Sequence, residues 1–408
     1  MRHTPARLLF ALISIGGTQT AVYIARPVTS YKLLGLGAGP REVGLVTAAY
    51  ALLPLFLAIP LGRFSDRRDP APLLVAGCAV QALACVLLGV AGQTSTLAAA
   101  TVLLGLGHLA VALGAQHAVA RASDAAHHDR NFAALTLLVS IGQLVGPLIG
   151  GGLLDARGSA SLADASGRAM YVAAGVAALS TGVAALTLRG GFAPAAAAEV
   201  AVAKAHEILV RRGVPAGMFA SLAALACADV ITAYLPVLGE EKGIAPGAIG
   251  VLLALRALAS IAARFGIVQL VSRFGRLGVL AASAALAAVA LAGLAVARDP
   301  VVIGVLIVLA GYGLGFGQPL SMTMIVQRVP PSWAGTALAV RLTGNRFGQV
   351  GGPTLAGLVS GGAGVSAVFW VFAGAMAVSA LAVQRPALRR DERRPTAPPD
   401  LSAEDVLD

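Results

Sequence analysis

The sequence predicts an all-α integral membrane protein, with twelve transmembrane helices in two pseudo-symmetric six-helix bundles. Three observations lead there. First, the 408 residues are 57% hydrophobic and only 12% charged, with mean hydropathy +0.82. A soluble domain carries roughly 25% charged residues, so a soluble enzyme and a disordered chain are both excluded. Second, the apolar residues fall into twelve stretches near the about 20 residues that cross about 30 Å of hydrocarbon. Third, landmarks of the first half recur in the second at a constant offset of 206 residues, as Pro40 does at Pro246.

Span 1 covers residues 8–28. Its flank carries Arg2 and Arg7 like a leader peptide, but its apolar core is too long. Arg26 and Pro27 also stand where a small-residue cleavage site would be. Spans 2 to 6 follow at 42–61, 73–91, 97–119, 131–154 and 169–188. They are helices because lipid-facing strands would leave backbone groups unpaired, and ten-residue alternating segments are absent. Residues 1–188 therefore form the first bundle, and the hydrophilic stretch 189–212 reads as a cytoplasmic linker. Spans 7 to 12 lie at 214–237, 247–271, 277–297, 300–327, 334–358 and 365–383, making 213–383 the second bundle. The tail 384–408 is charged and Pro-containing, so it is expected to be disordered.

Orientation follows from Lys and Arg. With the N-terminus inside, cytoplasmic segments hold nineteen of the 30 basic residues, the opposite side six, and the spans five. Both termini are expected in the cytoplasm of a cell (plasma or inner) membrane. A net charge of +11 would point to nucleic acid in a soluble domain, but here the excess lies in short loops beside the bilayer. Cys78, Cys85 and Cys227 sit singly in apolar runs, so no disulfide framework, metal site or cofactor is expected.

The repeat holds at several landmarks. Gly44 matches Gly250, Gly105-Leu106-Gly107 matches Gly311-Tyr312-Gly313, Arg67 matches Arg273, and Gly142-Gln143 matches Gly348-Gln349. Duplicated halves are a common transporter construction, with the substrate site at their interface near the midplane. In span 5, Gly142, Gly146, Pro147, Gly150 and Gly151 form a G-x-x-x-G-P-x-x-G-G stretch, which span 11 repeats with Gly348, Gly352 and Pro353. Generic small-residue packing is the plainer explanation, but five fixed matches in ten positions weigh against it. From this stretch and the repeat, residues 8–383 resemble the major facilitator superfamily, and the span 5 pattern resembles its twelve-helix drug/proton antiporters. The resemblance implies a functional monomer that moves a small molecule, with protons and the lipid bilayer, rather than nucleic acid, as its expected partners.

The loop after span 2 resembles the family's G-x-x-x-D-R-x-G-R signature, matching it at Gly62, Asp66 and Arg67 and departing from it at Asp69-Pro70. The matching loop keeps Arg273, Gly275 and Arg276 but has Ser272 in place of the acid. Ordinary positive-inside charge would also produce such loops. The resemblance implies a gate, in which Asp66 caps span 11 near Ser332–Ala334.

Charges within spans are costly, about 2.5–3.5 kcal/mol each at the centre. Gln19, Tyr23 and Arg26 share one face of span 1; Arg256, Ser260 and Arg264 share one face of span 8; Arg341, Asn345 and Gln349 share one face of span 11, with Arg346 beside them. These stripes are candidate walls of a substrate cavity, although Arg26 and Arg264 could snorkel instead. Asp229 is the sole carboxylate within a span, and with His108 it is a candidate proton carrier; a structural Asp–Arg pair is the alternative. Arg256, Arg341 and Arg346 together outnumber it, which favours an anionic substrate. The sequence thus predicts a secondary active transporter, not an enzyme, exporting a small organic compound by proton antiport through alternating access. Proton-coupled uptake of a small solute, anionic or otherwise, and a receptor or assembly protein on the same fold, are the alternatives.

Overall fold

A computed structural model describes residues 4–123, 127–189, 192, 205–330 and 333–384, without the side chains of 4, 5, 66 and 67. Twelve long helices appear among the described residues. The first six are α1 (Thr4–Gly35), α2 (Pro40–Arg67), α3 (Pro70–Val90), α4 (Thr94–Ala122), α5 (His128–Asp155) and α6 (Leu162–Ala185). After a short α7 (Ala205–Leu209) come α8 (Val214–Glu241), α9 (Pro246–Phe265), the eight-residue α10 (Ile267–Phe274), α11 (Arg276–Val296), α12 (Pro300–Val326), α13 (Ala334–Ala363) and α14 (Val365–Val383). The expected tail and all of the expected linker but Arg189, Phe192 and 205–212 lie outside the described residues.

Eleven of the long helices are apolar enough to cross a membrane by composition. The twelfth, α13, spans 30 residues, about 45 Å at 1.5 Å per residue. Its buried Arg341, Asn345 and Gln349 lower its hydropathy.

Two expectations need correction. Span 8 is not one helix: the chain breaks at Gly266, between α9 and α10, and α10 buries no residue. The signature after span 2 is not a loop either, because α2 runs on to Arg67 and carries Gly62, Asp66 and Arg67 on its last turns. Its departure at Asp69-Pro70 has a local cause. Asp69 caps α3 by accepting from the Ala71 amide at 3.0 Å, with Pro70 at the first helical position, where its missing N–H costs nothing. In the second half the chain turns at Gly275, whose φ of 73° lies where only glycine is unstrained.

The two bundles repeat each other in packing as in sequence. Within the first, α5 lies against α1: a Cβ on Gly142 would meet Gln19 Cβ at 2.6 Å, and one on Gly146 would meet Tyr23 Cβ at 2.7 Å. In the second, Gly348 and Gly352 lay α13 against Leu222 and Ala226 of α8. Between bundles, Gly44 of α2 abuts Gly357 of α13, and Gly250 of α9 abuts Gly151 of α5. The 206-residue offset carries Gly44 onto Gly250 and Gly151 onto Gly357, so one crossing maps onto the other.

These crossings lie at the face opposite the termini. One core cluster there draws on both bundles, from Val28, Tyr31 and Val43 to Tyr234, Ile249 and Phe369. At the face bearing the termini the cores are separate, one built from Leu12, Leu74 and Val119, and two from second-bundle residues such as Leu280 and Val214. The Tyr234 hydroxyl adds to the seal by donating to the Pro40 carbonyl at 2.9 Å.

Each bundle also ties its first helix to the end of its third through a lysine. Lys32 Nζ donates to the carbonyls of Leu88 and Gly89, and Lys242 Nζ to that of Ala297. A cation at a helix C-terminus satisfies orphan carbonyls and the dipole together. Lys32→Met should therefore lower the melting temperature, by the equivalent of about 3–6 kcal/mol for two charged hydrogen bonds; differential scanning fluorimetry of the purified protein reads this. A melt unchanged from wild type contradicts the role.

Candidate functional site

The candidate site grows from α8. Here Asp229 sits between helices of both bundles with its side chain 7% exposed. Its Oδ1 accepts from Arg26 Nη2 of α1 at 2.8 Å, and its Oδ2 from Gln349 Nε2 of α13 at 2.9 Å. Gln349 Oε1 in turn accepts from Arg346 Nη1 at 2.8 Å. The Arg26 guanidinium also lies 4.8 Å from the centroid of the Tyr50 ring on α2, within cation–π range. Behind it the His108 ring of α4 stands 5.8 Å from Tyr50. Arg26 therefore does not snorkel; it carries the charge link from one bundle to the other.

Helix geometry explains the assembly. Gln19, Tyr23 and Arg26 share one face of α1, and the glycines of α5 bring that helix against the same region of α1. Gln19 is buried, Tyr23 half-buried and Arg26 10% exposed. On α13, residues 345, 346 and 349 present neighbouring side chains, with Asn345 and Gln349 buried.

A second polar cluster lies within the second bundle, nearer the termini. Arg341 Nη1 donates to Ser221 Oγ and to Gln318 Oε1, both at 2.9 Å. Ser221 Oγ donates to Asn345 Oδ1 at 2.8 Å, and Gln318 Nε2 to the Ser221 carbonyl at 2.8 Å. This knits α8, α12 and α13. Arg341→Gln leaves Ser221 and Gln318 without their charged donor, so a loss of stability of about 1–3 kcal/mol is expected in chemical denaturation. A denaturation curve superimposable on wild type contradicts it.

Of the other candidates, Arg256 is buried, Ser260 half-buried and Arg264 exposed at the end of α9. Arg273 lies over the Phe274 ring at 5.5 Å and Arg276 Nη1 donates to Gln327 Oε1, so both serve the second bundle's own surface. Gly62 has open space where a Cβ would point. The expected contact from Asp66 to Ser332 lies outside the described residues. Among the described residues no three His, Cys, Asp or Glu side chains gather as metal ligands.

Three participants escaped the sequence reading. Tyr50, Ser221 and Gln318 are uncharged and belong to no extended polar stripe, so neither signal singles them out in the sequence. The offset held one clue, since it pairs Tyr50 with Arg256. Correspondingly, Gly105 packs α4 on the Tyr50 backbone and Gly311 packs α12 on that of Arg256.

On the sealed side of Arg26, a cavity of ≈ 20 Å³ is lined by Thr29, Thr47, Tyr50, Thr101 and Thr232 as well as Arg26 itself. Each threonine hydroxyl donates to the carbonyl four residues back in its own helix, so its lone pairs face the cavity. The volume suits one water.

Comparison with known proteins places this architecture. The family model described as Major Facilitator Superfamily matches residues 8–238 and again 217–405. The chain belongs to the Major Facilitator Superfamily. It is thus a multi-pass membrane protein of a transporter superfamily, and not an enzyme. Among solved structures it is similar to the nucleoside transporter NupG at 16% identity and TM-score 0.75, covering 94% of this chain and 98% of that one. It is also similar to a bacterial homolog of the human lysosomal transporter Spinster, in an inward-facing and occupied conformation, at 14% identity and TM-score 0.75, covering 97% and 98%. At these identities the likeness is one of fold. No curated protein matches the chain.

Proposed function

We propose that this Major Facilitator Superfamily protein is a proton-coupled secondary transporter of a small organic solute, with Arg26 and Asp229 as its coupling pair. The observation that carries the reading is the 2.8 Å ion pair that joins the two bundles through two helices of membrane-crossing length. A charge pair there is expensive unless it is used. Protonating Asp229 removes one of its two charges and loosens the link, so proton occupancy and bundle position bias each other. The threonine-lined cavity offers a water-sized step between the carboxylate region and the sealed face.

The excess of Lys and Arg assigns the face bearing the termini to the cytoplasm. The arrangement described is then closed to the outside, and alternating access opens the Gly44–Gly357 and Gly151–Gly250 crossings together. We take the protein to work as a monomer in the cell membrane.

Exchange of solute for protons, in the export direction, draws on the likeness of the α5 stretch to the drug/proton antiporters. Those glycines, however, have a packing task against α1 and α9 that serves either direction. The geometry favours joint movement of proton and solute, because the buried Arg256 donates to no protein group among the described residues.

Reconstituted vesicles loaded with a pH-sensitive dye test the reading. Adding a transported solute outside should acidify the lumen if proton and solute enter together, and alkalinise it under exchange. A solute that crosses by this protein without any proton movement overturns the coupling.

A further inference from the structure

Four arginines lie within the spans near the candidate site, and three have partners. Arg26 is paired with Asp229, Arg341 donates to Ser221 and Gln318, and Arg346 donates to Gln349. Arg256 is different. The residue is 7% exposed, no hydrogen bond joins it to a protein group among the described residues, and its Nε is buried without a partner. A buried N–H donor without an acceptor is unfavourable, and the planar fork of a guanidinium matches an oxyanion by two parallel hydrogen bonds.

Its surroundings point into the inter-bundle region. The ionisable groups whose fields reach Arg256 are Tyr23 and Arg26 of α1 and Asp229 of α8. Gln19 on the Tyr23 face of α1 is buried too, with its Oε1 unpartnered among the described residues. The site is thus cationic, buried and bordered by the coupling pair.

We propose that Arg256 is the anion-recognition residue of the transport site, binding the carboxylate or phosphate group of a small organic solute, and that solute and proton are bound together. The inference rests on the transporter reading above and adds to it a substrate class and a sign of coupling. The sign follows from Coulomb's law. An anion on Arg256 brings negative charge close to Asp229 and also competes for Arg26, so Asp229 takes up a proton more readily when the anion is bound. By linkage the anion then binds more tightly when Asp229 is protonated. The charged and titratable groups around Asp229 are Arg26 of α1, Tyr50 of α2, Arg256 of α9 and Arg346 of α13, with Tyr23 of α1 and His108 of α4 beyond them. Helices α12 and α14 carry no charged residue. Among the described residues no other carboxylate is hydrogen-bonded or ion-paired within this cluster to take the place of Asp229 as the proton acceptor.

The test is equilibrium binding to the purified full chain in lipid nanodiscs and low-chloride buffer, at pH 8 and pH 6. The probes are benzoate and methyl phenyl phosphate, each a monoanion at both pH values, with benzamide and benzylammonium as neutral and cationic isosteres. At least one anion is expected to bind at least tenfold tighter than both isosteres, which of the two distinguishing a carboxylate site from a phosphate site. It should bind tighter at pH 6 than at pH 8. Arg256→Gln is expected to weaken that binding at least tenfold and Arg256→Lys to retain part of it, which separates lost recognition from misfolding. In Asp229→Asn the pH dependence should disappear. Equal binding of the isosteres, unchanged affinity in Arg256→Gln, or weaker anion binding on acidification overturns the proposal. Binding needs no turnover, so an absence of proton flux in vesicles would count against the transporter reading and leave this result standing.

Discussion

Asp229→Asn should abolish uphill, proton-driven solute accumulation in vesicles while leaving downhill flux of the same solute measurable. The substitution keeps the shape and one acceptor for Arg26 or Gln349, but removes the only charge that a proton can cancel at this position. Removing one member of a buried pair costs about 3–5 kcal/mol when the other is left unpaired. The acceptor kept by Asn reduces that figure, so the protein should still fold with a lowered melting temperature. The split between uphill and downhill transport is the informative part. A carboxylate that only holds α1 to α8 would, when replaced, depress both fluxes alike. Equal loss of the two in a well-folded Asp229→Asn protein contradicts the coupling role.

Gly44→Leu carries the second large effect. At Gly44 the helices approach so closely that an added Cβ would stand 2.5 Å from the Gly357 Cα, far inside contact distance. This neighbour is backbone and cannot swing away. The outer crossing between α2 and α13 then cannot close, and the protein should rest with its outer face open. A cysteine placed at Thr47, which lines the cavity beneath this crossing, should react at least tenfold faster with a membrane-impermeant maleimide in the Gly44→Leu background. Transport should fall to background. Wild-type labelling together with wild-type transport contradicts the packing account. Gly250→Leu, its mate at the other crossing, should behave the same way because it meets the Pro147 carbonyl of α5.

Much of this architecture is legible in the sequence, for identifiable reasons. The spans follow from composition and length, and the 206-residue offset survives because the glycines at 44, 151, 250 and 357 each allow a backbone crossing that a side chain would block. Helix boundaries were legible less well. The break at Gly266 leaves no hydropathy signal, since the amphipathic α10 continues the apolar run of α9. Charges at membrane depth announced themselves one by one, but their pairing did not. Asp229 had several arginines to choose from, and its partner on α1 is 203 positions away by number, brought close only by the assembly of two bundles. Neutral partners such as Gln318 and Ser221 carry no penalty large enough to stand out in a sequence. They are visible only once α8, α12 and α13 are packed together.

The central claim is that two bundles meet at the outer face in one state and must part there for the solute to cross. Arg41 on α2 and Gly361 on α13 lie on opposite sides of that seam, and a Cβ at Gly361 would stand 3.3 Å from Arg41 Cβ. This is close to the about 3.5–4.5 Å found across disulfides. The native cysteines, Cys78, Cys85 and Cys227, are buried and do not interfere. Oxidation of the Arg41→Cys/Gly361→Cys protein should form the cross-link and stop solute flux in vesicles, and reduction should restore it. A fully cross-linked protein that transports at the uncross-linked rate would contradict the account.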